Sequence, residues 1–164
     1  MLRPHLVEVS RFGDSDRKIM ETVKEQTMTD MNDVRLLHGI YAKFAFTRDS
    51  HAHDEWVSLF TDDAVFDIDG GIFKGREALI EFSRALEADL SDGGIKIKHC
   101  MASVDVAVDG DEARGRGDFQ FYTIKGGVPT LGALGTYTDR FRRVGGQWKI
   151  AERVGRNDTD LNLV

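Results

Sequence analysis

The stretch TRDSHAHDEWVSLFTDDAVFDIDGGIFKG, residues 47–75, joins the helical part of the chain to its first strands and so decides the fold. Residues 51–60 predict a short helix with a cluster of apolar side chains, and residues 64–68 predict a strand. The Asp-Gly-Gly sequence that follows predicts a hairpin into a second, brief strand. Asp49 stands where the preceding apolar helix ends, so we expect its carboxylate to lie at the edge of the protein interior.

Helical periodicity flanks this stretch on both sides. Upstream, Ser15 begins a first predicted helix, and a second, stronger helix runs from residues 30–32 to about Thr47, with apolar residues at three- and four-residue spacing. Downstream, Gly75 opens a helix that reaches about Ala88. These helices precede nearly all of the strand signal in the chain.

From residue 95 onward the apolar period changes from helical to two, which is typical of β-strands. The inward parity switches between Met101 and Val104, which predicts a β-bulge. Three glycine-containing turns predict hairpins between long antiparallel strands, at residues 109–110, 125–127 and 145–146. Helices gathered on one face of a curved antiparallel sheet define an α+β fold, and its concave interior suits a small-molecule pocket.

Charge and composition exclude several classes of function. The 164 residues carry a formal net charge of −6 and no basic block, which disfavours nucleic-acid and anionic membrane partners. No apolar run approaches the roughly 18 residues of a membrane span, and the N-terminus lacks the apolar core of a signal peptide. The single cysteine, Cys100, cannot form an internal disulfide, so we expect a cytoplasmic protein.

Four segments resemble the SnoaL-like branch of the nuclear transport factor 2 superfamily. They are IYAKFAFTRD (40–49), EWVSLFTDDAVFDIDGG (55–71), FKGREAL (73–79) and GTYTDRFRRVGGQWKI (135–150). The resemblance implies a cystatin-like cone, in which N-terminal helices pack on a strongly curved antiparallel sheet and enclose a pocket. It covers residues 31–155, which leaves residues 1–30 as an N-terminal arm and helix and residues 156–164 as a polar tail. It also implies a homo-oligomer, a dimer or a trimer.

Within that superfamily the chain is most similar to the group of lindane dehydrochlorinase, scytalone dehydratase and bile acid 7α-dehydratase, which pair an aspartate with a histidine. Asp49 and His99 stand at the positions of that pair. Arg153 matches an arginine that assists departure of the leaving group in the dehydrochlorinase. Phe44 stands where these enzymes carry a lysine or tyrosine, so the resemblance implies no such help from the first helix. It implies a cofactor-independent lyase or isomerase acting on a hydrophobic cyclic small molecule.

The aspartate–histidine pair also makes chemical sense without the resemblance. Imidazole accepts a proton near neutral pH, and a carboxylate on its other ring nitrogen fixes the tautomer and stabilises the imidazolium. His99 shares its strand parity with Ile95 and Ile97, which predicts an inward side chain. The alternative for His99 is a core histidine satisfied by a hydrogen bond. Arg153 either faces the pocket or is an ordinary solvated strand arginine.

Aromatic side chains are expected to form the core and to line the pocket: Tyr41, Phe44, Trp56, Phe66, Phe82, Phe119, Phe121 and Tyr137. His51 and His53 lie two residues apart with no third ligand, so we expect helix capping and surface exposure rather than metal binding. The pattern indicates neither a metal nor an organic cofactor. Two alternatives to an enzyme stay open: a non-catalytic module of the same fold that binds a small molecule or a partner, and a protein resembling a ring-hydroxylating dioxygenase β-subunit.

Overall fold

The computed structural model describes residues 14–158, with side chains described at residues 18–22 and 30–158. The described residues form three helices, namely α1 (Asp14–Asp49), α2 (His53–Ser58) and α3 (Gly75–Asp92). They also form six strands, namely β1 (Phe60–Ile68), β2 (Gly71–Lys74), β3 (Ile95–Asp109), β4 (Glu112–Lys125), β5 (Val128–Val144) and β6 (Gln147–Asn157). The predicted α+β class is confirmed.

The bounds of α1 correct the prediction of two separate helices before residue 50. Residues 14–38 contain neither glycine nor proline, and the threonine, aspartate and asparagine residues near position 30 do not by themselves break a helix. The chain divides into two compact units at Asp33. The first unit contains, within its described side chains, the exposed Ile19 and Met20. The second, from Val34 onward, contains the sheet and the candidate site.

The six strands form one sheet in the order β2-β1-β6-β5-β4-β3. The predicted hairpins between β3, β4, β5 and β6 are present, and each pairs antiparallel. Local patterns did not indicate the contact between β1 and β6, which pair in parallel. This contact connects the small β1–β2 hairpin to the large antiparallel part of the sheet.

Among the register shifts of the sheet, those in β3 and β6 change which side chains point inward near the candidate site. The predicted bulge in β3 is confirmed, because its pairing with β4 shifts between Ala102 and Asp105 and Ser103 has a φ of 48°. A second shift, in the pairing of β5 with β6, skips Ala151. As a result Ile150 and Arg153 are both fully buried, although simple alternation would place them on opposite faces.

Phe44 lies at the centre of the core. Its ring centroid is 5.6–6.3 Å from the rings of four other buried aromatic residues, Trp56, Phe60, Phe66 and Tyr137. Each tilted or edge-to-face pair of this kind contributes about 0.5–1.5 kcal/mol beyond the area it buries. This packing holds α1 and α2 against the inner face of the sheet.

Two glycines of β4 make room for Tyr41 of α1. A Cβ atom at Gly117 would lie 2.8 Å from Cε1 of Tyr41, and one at Gly115 would lie 2.5 Å from the Tyr41 hydroxyl oxygen. The bare strand backbone therefore allows the tyrosine ring to approach closely.

We predict that Gly117→Ala lowers the free energy of unfolding by about 1–3 kcal/mol, because the new methyl group overpacks the contact with Tyr41. Gly39→Ala is the control, since a Cβ atom there meets nothing within 4 Å. Gly39 lies within α1, where alanine stabilises a helix by about 0.5–1 kcal/mol relative to glycine. Urea unfolding measures both changes, and a stabilised Gly117→Ala variant would contradict the packing.

Candidate active site

The end of α1 and the first half of β3 bring Asp49 and His99 together. The Nδ1 atom of His99 lies 2.7 Å from Oδ1 of Asp49. The backbone N–H of His99 also donates to the same carboxylate, at 3.0 Å from Oδ1 and 3.1 Å from Oδ2. The two side chains therefore lie within hydrogen-bonding distance, as predicted. The bond from the backbone N–H of His99 also fixes the orientation of the Asp49 carboxylate.

Asp49 is an almost buried carboxylate that remains ionised. Its side chain is only 8% exposed, and Nζ of Lys98 lies 3.2 Å from its Oδ2 atom. Burial alone would raise the pKa of Asp49. Hydrogen bonds from the ring and backbone of His99, together with the positive charges nearby, outweigh burial and hold the pKa below its ordinary value.

An ionised Asp49 sets the tautomer of His99. Because the carboxylate only accepts, Nδ1 of a neutral His99 carries the proton and Nε2 keeps its lone pair. No residue in the described part of the chain forms a hydrogen bond with Nε2. The imidazole packs against Phe121, with ring centroids 5.1 Å apart, and edge-on against Phe44 at 6.2 Å. A rigidly held imidazole with one unoccupied nitrogen can act as a general base.

His99 lines a mainly apolar cavity of about 200 Å³. The other lining residues are Phe44, Arg48, Phe66, Ile68, Asp69, Gly70, Phe82, Leu86, Phe119, Phe121, Ala133, Tyr137, Gly155 and Asn157. Asp69 and Asn157 are exposed, whereas Phe44 and Tyr137 are buried, so the cavity runs from the surface into the core. Its aromatic walls suit a flat hydrophobic ligand.

Six of the eight aromatic residues predicted for the pocket line this cavity, and two do not. Trp56 is fully buried behind the wall, where its ring packs against Phe60 at 4.9 Å. Tyr41 lies over β4, with its ring 6.0 Å from that of Phe141. Trp56 supports the cavity wall from behind, because its ring packs against those of Phe44, Phe66 and Phe82.

Arg153 is neither a pocket-lining residue nor a solvated one. It is fully buried, and Nε and Nη2 each donate to the Asp139 carboxylate at 2.7 Å. Its guanidinium carbon lies 4.3 Å from the ring centroid of Phe44 and 4.5 Å from that of Tyr137. Burial alone would lower the pKa of Arg153, but the Asp139 carboxylate outweighs burial and raises it. The pair is a fully buried salt bridge beneath the cavity wall.

A second polar group at the cavity, absent from the sequence-based candidates, is Arg48. Its Nη1 donates to Oγ of Ser83, which lies 2.8 Å from Nδ1 of His53. Nε2 of His53 in turn lies 2.5 Å from the Glu87 carboxylate. The expectation that His53 is a surface cap is therefore wrong, since its side chain is only 16% exposed and joins α2 to α3. In the sequence, the i, i+4 spacing of Ser83 and Glu87 places both on one face of a helix, and this spacing was the signal for a polar partner such as His53.

The described residues contain neither a candidate metal site nor a candidate membrane-spanning helix. No group of three or more histidine, cysteine, aspartate or glutamate residues there is arranged to hold a metal ion. No described helix is long and apolar enough to cross a membrane. Cys100, on β3, is exposed.

A curved, mostly antiparallel sheet with helices packed on it defines the cystatin-like, nuclear transport factor 2-like class of fold. Within this class, the chain belongs to the SnoaL-like domain family, whose model matches residues 29–154. This match confirms the resemblance found in the sequence. No curated protein matches the chain significantly.

Solved structures support the same fold. A protein of unknown function from Mycobacterium tuberculosis is 28% identical, with a TM-score of 0.67 over 90% of this chain and 78% of its own. A nuclear transport factor 2-like protein from Novosphingobium aromaticivorans is 19% identical, with a TM-score of 0.75 over 90% and 94%. A candidate scytalone dehydratase from the same bacterium is 20% identical, with a TM-score of 0.72 over 84% and 93%.

We predict that Asp49→Asn lowers the free energy of unfolding by about 2 kcal/mol at pH 7, because it removes charge-assisted hydrogen bonds. The native pKa of Asp49 is lowered, so this contribution is complete above its unfolded pKa of about 3.9 and is lost as the pH falls through the native pKa. The difference between wild type and variant should therefore shrink below about pH 4. Urea unfolding between pH 3 and pH 7 measures it, and a difference constant with pH would contradict the ionised carboxylate.

We predict that Asp139→Asn costs about 3–5 kcal/mol of stability, because Arg153 loses the counter-charge of a fully buried guanidinium. Asp63→Asn is the matched control. Asp63 also pairs with an arginine, Arg142, but its side chain is 71% exposed, so we expect no measurable loss. Thermal and urea unfolding compare the two, and equal effects would show that burial does not set the strength of the inner pair.

Proposed function

We propose that the protein is a cofactor-independent lyase or isomerase in which His99 removes a proton from a hydrophobic cyclic small molecule. One observation carries the proposal. The His99 imidazole lines the cavity while its Nδ1 atom lies 2.7 Å from the Asp49 carboxylate, so Nε2 is left to accept a proton. We assign this function to the domain predicted at residues 31–155.

The steps of the proposed reaction need only groups that the chain supplies. A substrate C–H bond breaks, its proton moves to Nε2 of His99, and the electron pair enters the ring system. Asp49 stabilises the imidazolium that results, as the aspartate of a hydrolase triad does. In a lyase the electron pair then expels a leaving group from the neighbouring carbon. In an isomerase His99 returns the proton to a different carbon. A positioned base of this kind contributes about 10²–10⁴-fold to the rate.

The size and lining of the cavity support a compact ring as the substrate. A cavity of about 150 Å³ is sufficient for benzene, and the volume here is about 200 Å³. One or two rings therefore fit against the phenylalanine walls, and any further part of the substrate extends past Asp69 at the surface. The likeness in fold to a candidate scytalone dehydratase is consistent with such a substrate.

The role that the family resemblance implies for Arg153 stays a prediction. Its guanidinium is held by Asp139 and stacks behind Phe44. In that position its positive charge lies behind the Phe44 ring, so we propose that any help it gives to a leaving group is electrostatic and acts through that ring. We propose that it holds Phe44, and through Phe44 the imidazole ring, in place.

We predict that His99→Ala slows deuterium uptake by an enolisable cyclic ketone about 10²–10⁴-fold relative to wild type, because the base is lost. The assay incubates protein with a panel of hydroxylated and halogenated cyclic ketones in D₂O and follows exchange and elimination by NMR. His38→Ala is the control, since His38 is exposed on α1, and it should keep the wild-type rate.

Binding measured on the same panel distinguishes the alternatives. A wild-type protein that binds these rings tightly but exchanges no faster than His99→Ala would be a non-catalytic binding module, and the enzymatic proposal would fail. Activity that appears only after a second protein is added would instead support a role like that of a dioxygenase β-subunit.

A further inference from the structure

Arg48 places a buried positive charge in the wall of the cavity that His99 lines. It precedes Asp49 at the end of α1, and its residue is 4% exposed. Among the lining residues of this cavity it is the only lysine or arginine. Every other buried part of that wall is aromatic or aliphatic, apart from the Tyr137 hydroxyl and the His99 ring.

No carboxylate is bonded to this charge. Within the described residues, the hydrogen bond from Nη1 goes to the neutral hydroxyl of Ser83. Arg153, in contrast, donates twice to Asp139. Burial lowers the pKa of Arg48 to about 10, and the negative charges of Asp49 and Glu87 oppose this only from a distance. A desolvated guanidinium with donors to spare is a strong binder of an anionic oxygen.

The arginine is fixed rather than free to swing away. Its guanidinium carbon lies 5.0 Å from the ring centroid of Trp56 and 5.4 Å from that of Phe82. Oγ of Ser83 accepts from Arg48 and lies 2.8 Å from Nδ1 of His53, and Nε2 of His53 lies 2.5 Å from the Glu87 carboxylate. The stacking sets the plane of the guanidinium, and this chain of hydrogen bonds sets its direction.

An aromatic wall connects the arginine to the histidine. Phe82, Phe66 and Phe44 follow one another from Arg48 to His99. Their successive ring centroids are 5.7 and 6.2 Å apart, and Phe44 is 6.2 Å from the imidazole. A flat ring lying on this wall has a cationic donor toward one end and a base toward the other.

We propose that Arg48 anchors a carbonyl or enolate oxygen of the ligand, so the substrate is a cyclic ketone or enone with its acidic C–H directed at His99. This inference rests on the proposed function for its chemical step. As the C–H proton moves to Nε2, the C–H electron pair forms a C=C bond and the carbonyl π pair moves onto oxygen. The negative charge then develops beside Arg48, where a fixed donor of this kind contributes about 10²–10³-fold.

Binding of 4-nitrophenolate and of nitrobenzene tests the anchor without requiring any turnover. The two probes have similar rings, and only the first carries an oxyanion, whose absorbance also reports its ionisation. We expect wild type to prefer 4-nitrophenolate and Arg48→Met to bind it about 10- to 100-fold more weakly, with nitrobenzene binding unchanged. Arg48→Lys keeps the charge and should recover part of the affinity. Arg76→Met, at an exposed site on α3, should match wild type.

His99→Ala separates this inference from the proposed function. If Arg48 is the anchor, His99→Ala keeps its preference for 4-nitrophenolate whether or not the protein is an enzyme. The inference is overturned if wild type shows no preference for the anion, or if the preference persists in Arg48→Met; loss of the preference in His99→Ala would then assign it to the imidazole. Should Arg48→Met not fold, the double variant Arg48→Lys/Ser83→Ala takes its place, because it removes both the guanidinium and the hydroxyl that holds it. A wild-type affinity of this double variant for 4-nitrophenolate would equally overturn the inference.

Discussion

The Asp49 carboxylate accepts hydrogen bonds from both the ring and the backbone N–H of His99, and this contact joins the end of α1 to β3. It is the constraint on which the cavity depends. The helix end delivers Asp49, the strand delivers His99, and Phe44 one turn earlier packs edge-on against the same imidazole. A carboxylate held in this way at low exposure stays charged, so it fixes the tautomer of the base.

Two buried arginines near the cavity differ in the way their charge is compensated. Arg153 has its counter-ion in Asp139, so its charge is balanced within the fold. Among the described residues, Arg48 has only the Ser83 hydroxyl bonded to it, which is why we propose a ligand oxygen as its counter-charge. Both side chains are almost completely removed from solvent, so the two arginines differ in their hydrogen-bond partners and not in their burial.

Local patterns predicted much of the fold, whereas the family resemblance indicated Asp49 and His99 as the pair at the site. Periodicity located the helices and hairpins, and the parity switch after Met101 located the bulge in β3. The parallel contact of β1 with β6 joins residues about ninety apart, which no local pattern encodes. Because the pairing of β5 with β6 skips Ala151, Arg153 does not lie on the face of β6 that simple alternation along the strand predicts. Arg48 was missed because its partners, Ser83 and His53, come from two other helices and looked like ordinary helix residues.

The most direct test of the central claim is the tautomer of His99, measured by ¹⁵N NMR of the histidine-labelled protein with His99 in its neutral form. We expect Nδ1 to be protonated and hydrogen-bonded to Asp49. We expect Nε2 to have the chemical shift of an unprotonated, pyridine-type nitrogen. Asp49→Asn should weaken this preference. A neutral His99 with its proton on Nε2 would contradict the account, because Nε2 would then have no lone pair with which to accept a proton from a substrate.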